Sequence, residues 1–154
     1  MPYLIDGHNL IPKLGLRLDS FDDELDLIAR LQEFCRIRRA KVEVYFDGAP
    51  PGQSGVRSAG AVTAHFVRLG SSADAAIEVR LEAMGRSAKN WTVVSSDHRV
   101  QRAAQSVHAS VITSDEFARQ VAAAQVERTM ISKGEAILNP DEVEEWLNIF
   151  KKRN

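Results

Sequence analysis

The chain has 154 residues, 44% of them hydrophobic and 27% charged, with a formal net charge of -1. That balance fits one globular domain with its own core and excludes wholesale disorder or a fibrous repeat. No apolar run approaches the length of a membrane span, about 18 residues, bulk charge does not mark a nucleic-acid binder, and the single Cys35 excludes an internal disulfide.

The chain opens on an apolar strand with no basic region leading to a cleavage site, so no secretory signal is expected and the location expected is cytoplasmic. Tyr3, Leu4 and Ile5 read as a short buried strand that Gly7 breaks, placing Asp6 at the strand's end. Asn9 is spaced to cap the next turn or to hold Asp6. By itself Asp6 reads equally as a capping acid in a tight turn or as an acid pointing into a site.

Residues 12–18 read as loop. Ser20 reads as an N-cap, with Asp23 as a shortened capping box, and Phe21, Leu25, Ile28, Leu31 and Phe34 follow at helical spacing up to about Arg39. Cys35 falls on the apolar side of that helix, as a small buried hydrophobe. Arg30, Arg36, Arg38, Arg39 and Lys41 stand against the single acid Glu33. They read as a solvated helix end suited to the macrodipole, or as a patch tracking phosphates.

Val42 to Phe46 is a β-branched and aromatic strand ending at Asp47-Gly48. Residues 48–60 (GAPPGQSGVRSAG) hold four glycines and two prolines and are expected as a flexible surface loop. It is a plain connector, or a binding loop in which Arg57 meets a phosphate. A third strand is expected at 62–67.

Ser72 then caps a helix that buries Ala73, Ile77, Leu81 and Met84. Asp74 sits in its first turn, where the dipole favours an acid regardless of function, and Glu78 lies one turn further along the same face. A fourth strand at 91–95 ends in Ser96-Asp97, and a helix follows over 98–107. After a fifth strand at 109–113, Ser114 is expected to cap a helix to about Glu127. Asn139-Pro140-Asp141-Glu142 opens a C-terminal helix at about 140–152, with Val143, Trp146, Leu147 and Phe150 as its apolar stripe. Strands alternating with helices, with no repeat and no second domain, mean one α/β domain over 1–154. Its mostly parallel sheet of about five strands is covered on both faces.

In a parallel sheet the strand ends share one edge, so Asp6, Asp47, Asp74 and Asp97 can converge. Neighbouring carboxylates repel and raise each other's pKa. A divalent cation offsets that cost, and hard oxygen ligands suit Mg²⁺ or Mn²⁺. His8, His65, His98 and His108 are scattered and are expected at the surface or in packing, so no zinc cluster is present. The coherent chemistry is metal-assisted phosphodiester hydrolysis. Rival sites fit less well. There is no GxxxxGK[ST] run and no GxGxxG after the first strand, a DxD phosphotransferase needs an acid where His8 stands, and a receiver domain needs an acid pair where only Asp6 is present.

In chain order, Tyr3-Leu4-Ile5-Asp6-Gly7-His8-Asn9, Val44-Tyr45-Phe46-Asp47-Gly48, Ala73-Asp74 with Ile77-Glu78, Val93-Val94-Ser95-Ser96-Asp97 and Ser114-Asp115-Glu116-Phe117 resemble the YacP-like NYN domain, a branch of the PIN-like ribonucleases. The resemblance spans nearly the whole chain. It implies a PIN-like Rossmannoid three-layer sandwich and metal-dependent endoribonuclease activity on single-stranded RNA; one bacterial branch is similar to a ribosome-associated enzyme that cuts mRNA. It implies Asp6, Asp74 and Asp97 as metal-site acids, Asn9 as the residue that orients the site, and Asp47 as a further acid. Glu78, Ser95 and Ser96 are the supporting residues. Two positions depart from the family: His8 stands where Tyr is frequent, and Ser71-Ser72 stand where Glu-Thr is frequent. The loss of that acid leaves open an RNA- or ribosome-binding module with a weakened site.

An acidic site repels a phosphate backbone, so affinity is expected from cations: Arg36, Arg38, Arg39, Lys41, Arg57 and Arg99. Arg99, opening a helix beside Asp97, is the best placed. The loop at 48–60 is expected to overhang the same edge and to order on a larger partner such as the ribosome.

Overall fold

The computed structural model describes residues 1–16 and 21–132. The expected cap at Ser20, the end of the loop expected at 12–18 and the helix expected at 140–152 lie outside the described residues. Among the described residues six strands form one sheet: β1 (Pro2–Asp6), β2 (Lys41–Ala49), β3 (Gly55–Ala59), β4 (Val62–Arg68), β5 (Thr92–Val94) and β6 (Ser110–Ile112). Their order is β3-β4-β2-β1-β5-β6, and every neighbour runs parallel except β3, which is antiparallel to β4. The helices are α1 (Gly7–Leu10), α2 (Phe21–Arg38), α3 (Ala73–Met84), α4 (His98–Ser106) and α5 (Ser114–Ser132).

Side chains alternate across the strands, so each strand feeds two cores. Tyr3, Ile5, Val42, Val44 and Phe46 pack toward α2 and α5, against Leu27, Leu31, Phe34 and Phe117. Leu4, Tyr45 and Val93 pack toward α3 and α4, against Ile77, Leu81, Val100 and Ala104. The result is the three-layer α/β sandwich that the alternation of elements implies. Burying each large side chain stabilises it by roughly 1.5–3 kcal/mol.

Register decides where the acids lie. Asp6 stands opposite Tyr45, and Ile5 opposite Val94. Asp47 and Ser95 to Asp97 therefore begin just past the same edge that Asp6 terminates. β1 has β2 on one side and β5 on the other, so the chain reverses direction across the sheet between β1 and β5. A crevice opens beyond the strand ends at such a switch point.

Three local expectations are corrected. The stretch at 48–60 holds β3, which pairs with β4 through the two-residue turn Gly60-Ala61, with Gly60 at φ +61°. Its low apolar content reflects an edge strand with most of its residues exposed, which needs hydrogen bonds to β4 more than a packed face. Residues Ile11–Leu14 form a 3-10 turn rather than loop, with Pro12 at its start. On α2, Leu25 is exposed and Leu27 is inside instead, while Cys35 is buried as expected. Burial pushes the Cys35 thiol up to about 11, which keeps it protonated and inert.

Candidate active site

β1 delivers Asp6 to the edge, and Gly7 lets the chain turn there. A Cβ on Gly7 would stand 2.5 Å from Phe46 Cε1 and 2.8 Å from the Tyr45 carbonyl oxygen, so α1 can start only on a glycine. Gly7→Ala is expected to lower stability by about 1–3 kcal/mol through overpacking. Urea denaturation checks it, and an unchanged midpoint would mean that the Phe46 ring moves aside freely.

Asp6 is buried and accepts a hydrogen bond from Ser95 Oγ at 3.3 Å. Burial, then the charge of Asp74, raises its carboxyl to about 6, with Asp47 adding to the rise and the Ser95 hydroxyl opposing it. Asn9, one turn along, ties three segments together. Its Oδ1 accepts from the Ser96 backbone N–H at 2.8 Å and from Ser114 Oγ at 2.6 Å. The Ser114 N–H donates in turn to Ser96 Oγ at 3.1 Å. Ser114 was expected as the helix cap; Thr113 Oγ1 takes that role, accepting from Glu116 N at 3.1 Å, and frees Ser114 for the site.

Ser95 and Ser96 hydrogen-bond around the turn that carries Asp97. Ser95 Oγ accepts from the Asp97 N–H at 3.0 Å, and Gln101 Nε2 donates to the Ser95 carbonyl at 2.8 Å. Asp97 caps α4, its Oδ1 accepting from the N–H groups of Arg99 and Val100. Asp74 sits in the first turn of α3, which Ser72 caps by accepting from Ala75 N at 3.1 Å. Partial burial and the charge of Asp97 raise the Asp74 carboxyl, with Asp47 and Glu78 in the same sense and Arg99 opposing. The charge of Asp74 acts on Asp6, those of Asp97 and Glu78 act on Asp74, and that of Asp47 acts on both, so the five acids share one electrostatic neighbourhood.

Asp47 lies in a bulge of β2, between Phe46 and Ala49, where Gly48 takes φ +75°. It is held by His8, whose Nδ1 is 2.6 Å from Asp47 Oδ1 and whose Nε2 is 3.2 Å from Glu24 Oε2. A neutral imidazole donates from one nitrogen only, so carboxylates at both nitrogens favour the charged ring. Glu24 and then Asp47 accordingly raise the His8 pKa against its burial. His8 is thus a bridge within the site rather than a surface or packing histidine.

The donors are all hard oxygens, two of them strained as charges, which suits a hard divalent cation. No three acidic, histidine or cysteine side chains form a ready cage among the described residues. A hydrated ion held by one or two carboxylates and completed by a substrate phosphate fits this arrangement.

A family model described as the YacP-like NYN domain matches residues 3–151. The chain belongs to that family. A crystal structure of Rae1 (YacP) from Bacillus subtilis shares 25% identity over 99% of this chain and 93% of that chain, with a TM-score of 0.64. A tryptophan-to-leucine mutant of it gives 26% identity over 92% and 89%, with a TM-score of 0.68. No curated protein matches the chain. The fold is the PIN-like fold, and the family is one of ribonuclease type.

The NYN domain distributes its cations unevenly. Arg99 lies at the acid edge and pairs with Glu78. Arg57 lies midway along β3, its guanidinium over the rings of Phe21 and Phe66 at 5.7 and 5.2 Å. The structure does not bring Arg36, Arg38, Arg39 and Lys41 to the acids. Lys41 starts β2 opposite Pro2, about 17 Å of strand from Phe46. Arg36 pairs with Glu33 and Arg38 with Glu127. Sequence reading missed Glu24, Ser114 and Gln101 as partners of the site. Glu24 carries no local signal, because its first-turn position suits the helix dipole anyway.

Proposed function

We propose that this NYN domain is an Mg²⁺- or Mn²⁺-dependent endoribonuclease that hydrolyses single-stranded RNA. The observation that carries the reading is the gathering of Asp6, Asp74 and Asp97 at the switch point between β1 and β5, where the charge of Asp74 bears on Asp6 and that of Asp97 on Asp74. One or two of Asp6, Asp74 and Asp97 would hold the cation directly and the others through its water shell, with Asp47 beside them. Bound there, it would polarise a phosphodiester and lower the pKa of attacking water. Asn9 fixes the turn that presents Asp97, Ser95 orients both Asp6 and the Asp97 backbone, and Glu78 steers Arg99. Arg99 is the cation nearest the acids for a phosphate of the strand, and Arg57 flanks the path along the sheet edge.

The substrate class follows from the family, and mRNA on the ribosome is the context this reading favours. Wild-type protein should cut labelled single-stranded RNA internally and leave single-stranded, duplex and branched DNA intact. Cleavage of branched DNA instead would make it a flap-type nuclease. The departures at His8 and Ser71-Ser72, with no three-ligand cage among the described residues, favour a second reading, an RNA- or ribosome-binding module with a weakened site. RNA binding without cleavage under both metals would select it.

Neutralising Arg36, Arg38, Arg39 and Lys41 together is expected to leave affinity for short RNA and its salt slope unchanged, since the cluster faces the other edge. A slope flattened by about one per charge removed would return those residues to the RNA path.

A further inference from the structure

A groove of about 520 Å³ opens between α3 and β4, and the chemistry above does not use it. Its floor is aromatic. The rings of Tyr45 and His65 stack with centroids 4.3 Å apart and planes 6° apart. A buried acid locks that floor: Tyr45 Oη donates to Glu43 Oε1 at 3.2 Å, and Arg80 donates to both Glu43 oxygens at 2.9 Å. His65 Nε2 lies 3.5 Å from the same carboxylate. Tyr45 is buried, whereas the His65 side chain is 25% exposed and faces a groove walled by Val67 and Val79. Val79 is 66% exposed at the rim.

Register links the groove to the acids. Asp6 stands opposite Tyr45, and Tyr45 opposite His65, so the three occupy one row across β1, β2 and β4. Two strand spacings separate His65 from Asp6, about 10 Å. Ser72, at the groove's mouth, caps the helix whose first turn carries Asp74. An apolar groove roomy enough for a nucleobase, with a rigid ring in its floor and an end toward the acid edge, matches how unpaired RNA bases are held, by stacking on aromatic side chains.

We propose that this groove receives an unpaired base of the RNA strand, stacked on His65, from a nucleotide neighbouring the phosphate that lies at the cation site of Asp6, Asp74 and Asp97. The inference rests on the ribonuclease reading for the identity of its ligand but not on catalysis. Stacking tolerates every base, so the groove sets the strand's position and contributes little sequence preference.

The test walks 2-aminopurine along a short single-stranded RNA bound in EDTA, where metal-dependent cleavage is off, and reads its fluorescence. Quenching confined to one or two adjacent positions is expected. His65→Ala should abolish that quenching and weaken binding about 10-fold, His65→Phe should restore both, and Val79→Glu at the exposed rim should mimic His65→Ala. Circular dichroism confirms that each variant is folded. Uniform quenching along the RNA, or a pattern unchanged in folded His65→Ala, overturns the proposal. RNA that is cut but shows no localised quenching sinks the groove alone. Localised quenching without cleavage under either metal sinks the hydrolase reading and supports the groove. A chain that binds no RNA, in EDTA or with either metal, overturns both.

Discussion

Asp97→Asn is expected to lower RNA cleavage by on the order of 10²–10³-fold with the fold unchanged. The cap survives the change, because an asparagine oxygen can still accept from the N–H groups of Arg99 and Val100. What disappears is one negative charge beside Asp74, and with it a share of the field that would hold a divalent cation. Asp6→Asn should separate function from stability more sharply. The folded Asp6 carboxyl titrates at about 6 against an ordinary 3.8, so the folded state holds its proton more tightly. Stability therefore falls as pH rises from about 4 to 6, and the loss is fully present at pH 7. Asp6→Asn should recover up to about 3 kcal/mol at pH 7 in EDTA, gain nothing near pH 4, and lose cleavage. Wild-type cleavage by Asp97→Asn would reduce that residue to a helix cap.

The largest stability effect is expected at Glu43. This acid is buried in the middle of β2, an environment that opposes its charge. Hydrogen bonds from His65, Arg80 and Tyr45 and the Arg80 charge overcome that, and hold the carboxyl at about 2 against an ordinary 4.5. A depressed carboxyl stabilises the fold above about pH 4.5, and that contribution is lost as pH falls toward 2. It amounts to about 3 kcal/mol at most, discounted because Arg80 is 39% exposed and solvent screens its end of the pair. Arg80→Ala leaves the acid buried without its main partner and should destabilise by about 3 kcal/mol at pH 7, with the deficit shrinking toward pH 2. Urea midpoints measured across pH 2–7 read both trends. A deficit independent of pH would mean that Arg80 matters for packing against Trp91 alone, over which it lies at 5.7 Å.

Where a side chain's partner is local, the sequence was legible. Ser72 as cap of α3, the buried face of α3 and the strand-end position of Asp6 all follow from spacing within a few residues. Strand order was not legible, whereas the place of Lys41 and its neighbours at the edge away from Asp6 follows from β2 starting parallel to β1, with Lys41 opposite Pro2. β3 was missed because an edge strand carries hydrogen bonds rather than an apolar pattern. Glu43 did leave a signal, a lone acid in an otherwise apolar strand, which demands a buried partner. Its partner Arg80 lies 37 positions away, so only the fold reveals the pair. His8 and Glu24 meet across 16 positions for the same reason.

The central claim, a cation-dependent hydrolytic site made by Asp6, Asp74 and Asp97, is tested most directly by titrating Mn²⁺ and Mg²⁺ into a cleavage assay on labelled single-stranded RNA. The expected result is internal cleavage that saturates with the metal, vanishes in EDTA and falls by on the order of 10²–10³-fold in Asp97→Asn. Cleavage undiminished by EDTA, or none at any concentration of either metal while RNA stays bound, would contradict it.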